Sequence, residues 1–330
     1  MGVGFSLFAV IILVLIVLVG TVAANLYFLF GVLIPAVALV TFIAGFIYRV
    51  LKWARAPVPF RITTTCGQQK SLPWIKANNC ESPYNTVGLI MRMALEVLLF
   101  RTLFRNTKSE LADGPVLAYG SEKWLWFAGL AFHWSFLVII LRHLRFFTEP
   151  VPSFVRFIQN VDGMFWLAIP TLYITDMVIL AGLTYLFLRR IFLPQIRYIS
   201  LPSDYFPLFL LIGVTLSGIL MRHFYKVDLL NVKRLAVGLF SFQPVIPEGI
   251  GPAFYIHLFL VSVLLAYFPF SKLMHMGGVF LSPTRNLKND NRMRRHINPW
   301  DYPVKVHTYE EYEDEFRDKM KAAGLPLEKE

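Results

Sequence analysis

Four of the seven histidines in this 330-residue chain sit in strongly apolar stretches: His133 and His143 in EKWLWFAGLAFHWSFLVIILRHLRFF, His257 and His275 in PAFYIHLFLVSVLLAYFPFSKLMHMGG. An ionisable side chain in hydrocarbon costs several kcal/mol unless it faces a bundle interior and has a partner. Two such pairs point to an internal ligand, and haem suits them best. A neutral imidazole on each side of an iron porphyrin gives bis-histidine haem b, an electron-transfer centre with no axial position left for substrate. A proton relay of histidines is the competing chemistry, and hydrogen-bonded core histidines are the bland one. A di-metal site fits less well, because acidic companions are absent at those heights.

The elements that must hold these residues are membrane helices. Hydrophobic residues make up 56% of the chain, and only 16% is charged, far from the composition of a soluble domain. A span needs about 20 predominantly apolar residues. Six segments qualify: 5–24, 27–50, 122–147, 163–189, 204–225 and 252–276. The expected fold is an all-α membrane protein, a six-span helical bundle. The first segment lacks a basic n-region and a small-residue cleavage site, and reads as a retained helix. Segment 87–104 carries Arg92, Glu96 and Arg101. With Arg92 and Glu96 on one side at i,i+4, it reads as an amphipathic helix lying in the interface.

With six spans both termini share a side. If that side is the cytoplasm, 25 Lys and Arg residues lie inside and 7 outside, as the positive-inside rule requires. The chain is therefore expected in the cytoplasmic membrane with both termini cytoplasmic. The net charge of +11 follows from that orientation and calls for no nucleic acid. Four regions result: two N-terminal spans at 1–51, a cytoplasmic loop at 52–121, a four-span core at 122–277 and a cytoplasmic tail at 278–330. Cys66 and Cys80 share that loop at a spacing that matches no short metal-binding motif, and are expected to stay reduced. In the tail, Thr308 and Glu311 form a capping box and Tyr312, Phe316 and Met320 repeat every four residues before a Gly324 stop. Such a stripe suggests docking on a partner, unless the helix packs back on its own loop. His296 and His307 lie in this polar tail, where a solvated or structural role is the default.

Spans three and six run antiparallel, so His133 and His275 fall on the cytoplasmic half, and His143 and His257 on the outer half. The ten-residue step from His133 to His143 rises about 15 Å along a helix and the eighteen-residue step from His257 to His275 about 27 Å. Helix tilt, a broken turn around Pro269, or haems lying at different angles must absorb the difference. Arg142 and Arg145 bracket His143, where guanidinium groups can hold haem propionates; interfacial snorkelling is their alternative role.

The H-x9-H and H-x17-H spacings, with YFPLFLLIGVTLSGILMR in span five and FPFSKLMH closing span six, resemble the gamma subunit of respiratory nitrate reductase and its relatives over about 122–277. Within that family, VPFRITTTCGQQKSLPWIKANN and the tail from NPWDYPVKVHTYEEYEDEF onward resemble the DsrM-type membrane subunit of the DsrMKJOP complex of sulfate reducers. The resemblance implies two b haems, one proximal to a cytoplasmic iron–sulfur partner and one distal, with menaquinol handled near the distal one. Carried onto this chain, His133 and His275 would ligate the proximal haem iron, and His143 and His257 the distal one. It also implies a DsrK-like iron–sulfur subunit on loop 52–121 and tail 278–330, with J, O and P subunits beyond.

Oxidising a quinol requires a polar group to take protons beside the distal haem. Arg222, His223, Asp162 and Glu248 are candidates near the outer face, with Asp176 deeper in span four. The membrane cytochrome of a heterodisulfide reductase, using another lipid carrier, and that of a nitrate reductase are the alternatives within the family. A haem-free anchor or transporter is the reading from another class. Transporters usually show internal repeats, and none is visible here.

Overall fold

The computed structural model describes residues 2–57, 67–112, 114, 116–165, 170–282, 284–290, 292, 303 and 306–329. Cys66, and with it the expectation for the cysteine pair, lies outside the described residues, as does His296. The helices are α1 Gly2–Val22, α2 Ile34–Ala54, α3 Thr86–Leu99, α4 Arg101–Phe104, α5 Lys123–His143, α6 Ser153–Asp162, α7 Ile174–Phe192, α8 Pro194–Ile199, α9 Pro202–His223, α10 Leu229–Phe240, α11 Pro252–Tyr267, α12 His275–Leu281 and α13 Tyr309–Ala322. A π-turn at Leu29–Leu33 leads into α2, and a 3-10 turn at Leu144–Phe146 extends α5.

Local chemistry sets several of these boundaries. Proline at the first position opens α9 and α11, where its missing N–H is no loss. Asn85 accepts the Gly88 N–H at 2.8 Å to cap α3, and Asp228 accepts from Leu230 and Asn231 to cap α10. Thr308 and Glu311 form the capping box of α13, and Gly324 follows its end with φ +66°.

Among the described residues, five helices are long and apolar enough to cross a membrane: Gly2–Val22, Leu29–Ala54, Lys123–Phe146, Pro202–His223 and Pro252–Phe270. The expected span at 163–189 differs. Its helix, α7, begins only at Ile174, carries Asp176, Arg189 and Arg190, and is not among the five. Pro170 explains the late start, since it lacks an amide proton and disfavours helical geometry in the residue before it. Segment 87–104 forms α3 and α4 with a break at Phe100, and neither helix is long enough to span.

The bundle packs in the order α5, α7, α9, α11, α2, with α1 against both α9 and α11. One core cluster joins Val10 of α1, Ile179 and Leu183 of α7, Leu208, Leu210 and Leu211 of α9, and Leu260 and Leu264 of α11. In hydrocarbon no hydrophobic force draws helices together, so close packing at small residues matters most. Gly182 of α7 lies against Phe132 of α5, where a Cβ would come 3.4 Å from the Phe132 Cβ.

A polar unit stands at the end of the bundle where α5 begins. Loop and tail close on each other there: the Asn289 N–H donates to Pro83 O at 2.6 Å, its Nδ2 to Ser82 Oγ at 2.9 Å, and Arg285 pairs with Glu96 at 3.2 Å. The same loop contains an antiparallel hairpin, β1 Thr107–Ala112 with β2 Val116–Ser121, which an all-helical reading does not anticipate. In the tail, residues 325–329 run back along α13. The amides of Glu328 and Lys329 donate to the Glu313 carboxylate at 2.8 and 3.1 Å, and Met320 is buried while Tyr312 stays exposed. The helix therefore packs on its own return segment.

This packing can be tested at two places. A Cβ at Gly45 of α2 would lie 2.8 Å from the Pro269 Cβ and 2.9 Å from the Phe270 ring. Gly45→Leu is expected to cost about 1–3 kcal/mol, read as a lower Tm in detergent, with Gly45→Ala costing less. The N–H of Glu328, helped by that of Lys329 and by Arg317, holds the Glu313 carboxyl below the usual glutamate range. A carboxyl depressed on folding contributes stability above its unfolded pKa and loses it as pH falls through the folded value. Hydrogen exchange at the Glu328 and Lys329 amides, corrected for intrinsic rates, should therefore lose protection in acid, and Glu313→Gln should remove that pH dependence.

Candidate functional site

Each of the four histidines is pinned through Nδ1. His133 Nδ1 lies 2.7 Å from Gly129 O, His143 Nδ1 2.7 Å from Ile139 O, and His275 Nδ1 3.0 Å from Lys272 O. A carbonyl can only accept, so Nδ1 carries the proton and Nε2 keeps its lone pair. His257 reaches the same tautomer through a side chain. Its Nδ1 is 2.9 Å from Ser217 Oγ, whose own hydroxyl donates to Val214 O at 3.0 Å and leaves the oxygen free to accept.

The rings meet in two pairs across α5 and the α11–α12 segment. His133 and His275 have centroids 5.9 Å apart at an interplanar angle of 84°, and His143 and His257 are 6.4 Å apart at 16°. α5 and α11 are not a closely packed pair; α7 and α9 complete the bundle between them. The imidazoles thus face each other across a separation that backbone packing does not fill.

The unequal ten- and eighteen-residue steps are reconciled by a break. After Tyr267 the chain makes a 3-10 turn at Phe268–Phe270, passes through an extended Ser271 (φ −115°, ψ 179°), and makes a second 3-10 turn at Lys272–Met274. Ser271 Oγ accepts the Leu273 N–H at 3.2 Å, restarting the helix that His275 opens. His257 and His275 do not share one straight axis, so the second step need not match its helical rise.

A buried ionic group adjoins His143. Arg142 donates to Asp162, to Thr175 Oγ1 at 3.4 Å and to Asp176 Oδ1 at 3.2 Å. Asp162 also accepts the Thr175 N–H at 2.9 Å and its hydroxyl at 2.7 Å, tying α6 to the first turn of α7. Tyr173 lies between two guanidinium groups, 3.7 Å from Arg142 and 4.1 Å from Arg222, whose Nε donates to Thr171 O at 3.0 Å. Asp176 is expected deep in span four; it lies instead in the first turn of α7, because that helix starts late.

The other candidates are placed variously. Arg145 donates to Gln159 at 3.0 Å, so both arginines flanking His143 have protein partners. His223 ends α9 with a buried Nε2 that has no hydrogen-bond partner among the described residues. Glu248 is exposed, and its backbone carbonyl accepts from Asn231 Nδ2 at 3.0 Å. Sequence reasoning passed over Ser217 and Tyr173. A serine inside an otherwise apolar span was the available signal for the first; nothing local marked the second.

Paired imidazoles on the open side of a set of apolar helices long enough to cross a membrane define an integral membrane protein with two histidine pairs. The chain matches the nitrate reductase gamma subunit family over residues 93–295 and belongs to that family. It is 48% identical over 280 residues, 83% of either chain, to the Hdr-like menaquinol oxidoreductase cytochrome b-like subunit of Archaeoglobus fulgidus. The subunit of the same description from Archaeoglobus profundus is 43% identical over 275 residues, 81% of either chain. A subunit of the dihydromethanophenazine:CoB–CoM heterodisulfide reductase of Methanosarcina thermophila is 24% identical over 273 residues, covering 80% of this chain and 94% of that one.

The ionic group makes a direct prediction. Arg142→Met leaves Asp162 and Asp176 buried without their cation and is expected to cost about 3–5 kcal/mol. Thermal unfolding in detergent measures the loss, and adding Asp162→Asn and Asp176→Asn should recover most of it. Arg142→Lys should not, because one ammonium cannot serve both carboxylates as a planar guanidinium does.

Proposed function

We propose that this chain is a di-haem cytochrome b that carries electrons between menaquinol and a cytoplasmic iron–sulfur subunit. One observation carries the reading: two histidine pairs whose centroids stand 5.9 and 6.4 Å apart. An imidazole nitrogen sits about 2 Å from its metal and the ring centre about 1 Å beyond, so rings about 6 Å apart leave room for one iron that each pair would hold. A bare ion asks the protein for three or four ligands, and no group of three His, Cys, Asp or Glu fit for a metal occurs among the described residues. A haem would ask the protein for two ligands, which each histidine pair would supply.

On this reading His133 and His275 hold the proximal haem and His143 and His257 the distal one. Haem, when bound, supplies one-electron chemistry. The chain's part is to fix the four tautomers, exclude water with the bundle core, and receive protons at the outer end. A quinol oxidised at that end would release two protons, which need polar acceptors close by. His223, whose Nε2 has no hydrogen-bond partner among the described residues, and the Arg142–Asp162–Asp176 group with Arg222 are the candidates for that work, with Glu248 as the outlying one. Arg142 and Arg145 would serve propionates only by sharing their present partners. The named relatives, menaquinol oxidoreductase subunits, support menaquinol as the carrier.

Both termini are assigned to the cytoplasm, with α7 as the sixth crossing; its 19 residues rise about 28 Å, near the thickness of the hydrocarbon core. The loop and tail unit at the His133–His275 end would then meet a DsrK-like iron–sulfur subunit, with J-, O- and P-type subunits completing a complex of sulfate or sulfite respiration. A pyridine haemochrome assay on the purified protein should return two haems b per chain. His257→Ala should remove one of them and leave the other. A protein without haem b, or a His257 variant retaining both, would overturn the assignment.

A further inference from the structure

A strained phenylalanine stands against His133. Phe100 ends α3 with φ 51° and ψ 47°, the left-handed conformation that glycine adopts without steric cost and a phenylalanine does not. Non-glycine residues persist there only where their surroundings over-determine them. Those surroundings are explicit. The Trp126 indole donates to Leu99 O at 2.7 Å and the Trp134 indole to Leu98 O at 3.0 Å, so two tryptophans of α5 hold the last carbonyls of α3. The Glu96 carboxylate accepts the Thr102 N–H at 3.0 Å and its hydroxyl at 2.6 Å, capping α4, and pairs with Arg285 of the tail. The Phe100 ring then meets His133 edge to face, with centroids 4.9 Å apart at 87°.

We propose that Phe100 is a positioning residue for the His133–His275 pair: its ring holds the His133 imidazole in place and forms an apolar wall on the His133 side of that pair. This rests on the di-haem reading above. A glycine would relieve the backbone, so the side chain is what the position keeps. An apolar wall disfavours the more highly charged oxidised state of a haem ligated there and holds its reduction potential up.

The test is potentiometric titration and low-temperature EPR of the haem-loaded full-length protein in membranes. Phe100→Gly and Phe100→Asn both tolerate the left-handed backbone while deleting the ring. Each is expected to retain two haems, to lower the midpoint potential of one, and to alter the low-spin signal of that haem alone. Phe100→Leu, which restores apolar cover, should bring both readouts back toward the parent. Loss of one haem in the Gly or Asn variant with its recovery in Leu would also support the role. Unchanged midpoints and spectra in both ring-deleted variants overturn it while leaving the di-haem reading intact. A His133→Ala variant that keeps both haems overturns the di-haem reading itself, and the proposal with it.

Discussion

The constraint on which the rest of this structure depends is that an imidazole in hydrocarbon must spend both of its nitrogens. Each of the four histidines spends Nδ1 within the protein: His133 and His143 on a backbone carbonyl of their own helix, His275 on the Lys272 carbonyl in the turn before its helix, and His257 on Ser217. That bond fixes the tautomer and the ring plane and leaves Nε2 as the one uncommitted atom. Four such atoms cannot be left in an apolar bundle without an energetic penalty. Their rings meet in two pairs, across helices that do not pack tightly together.

Holding α5 and α11 at that separation requires other helices to carry the cohesion. α7 lies on α5 and α9 on α11, and α7 and α9 contact each other, so the four form an arc whose open side bears the histidines. The core leucines of α7 and α9 are among the most buried in the molecule, while α11 gains further support from α1 and α2. The break after Phe270 serves the same end. A continuous helix would carry His275 too far along the axis to meet His133, and the extended Ser271 redirects the chain. Pro269 contributes both the missing amide and a surface against which α2 can approach only because residue 45 is glycine.

What was legible in the sequence, and what was not, divides along the range of the interactions involved. Five of the long spans, and the α13 capping box with its Gly324 stop, could be read from local composition and spacing, and the family from its resemblance in motif. The start of α7 was legible in principle, since Pro170 is local, yet the apolar background of 163–173 masked it; the misplaced boundary then put Asp176 too deep. The hairpin was overlooked although an Asp113–Gly114 pair, a strong turn signal, lies between its strands. Ser217 with His257, Tyr173 between Arg142 and Arg222, and Phe100 against His133 are contacts between residues 31 to 49 positions apart. No periodicity reports them, because each is decided by how helices are rotated against one another.

The two ends of the bundle differ in a way that fits different tasks. At the His143 end the charges are internal: Arg142, Asp162 and Asp176 are buried and mutually satisfied, with Arg222 and an unpartnered His223 nitrogen nearby. Such a group is costly to build and is retained where protons or polar substrates must be handled out of bulk water. At the His133 end the ion pairs lie between segments: Glu96 with Arg285, Glu122 with Arg189, Asp204 with Lys272. These fasten loop, tail and helix ends into a surface, and Phe100 and Phe132 meet the His133 ring edge to face. An end that stores buried charge suits proton-coupled chemistry, and an end that presents a fastened surface over an apolar wall suits passing electrons to a docked protein.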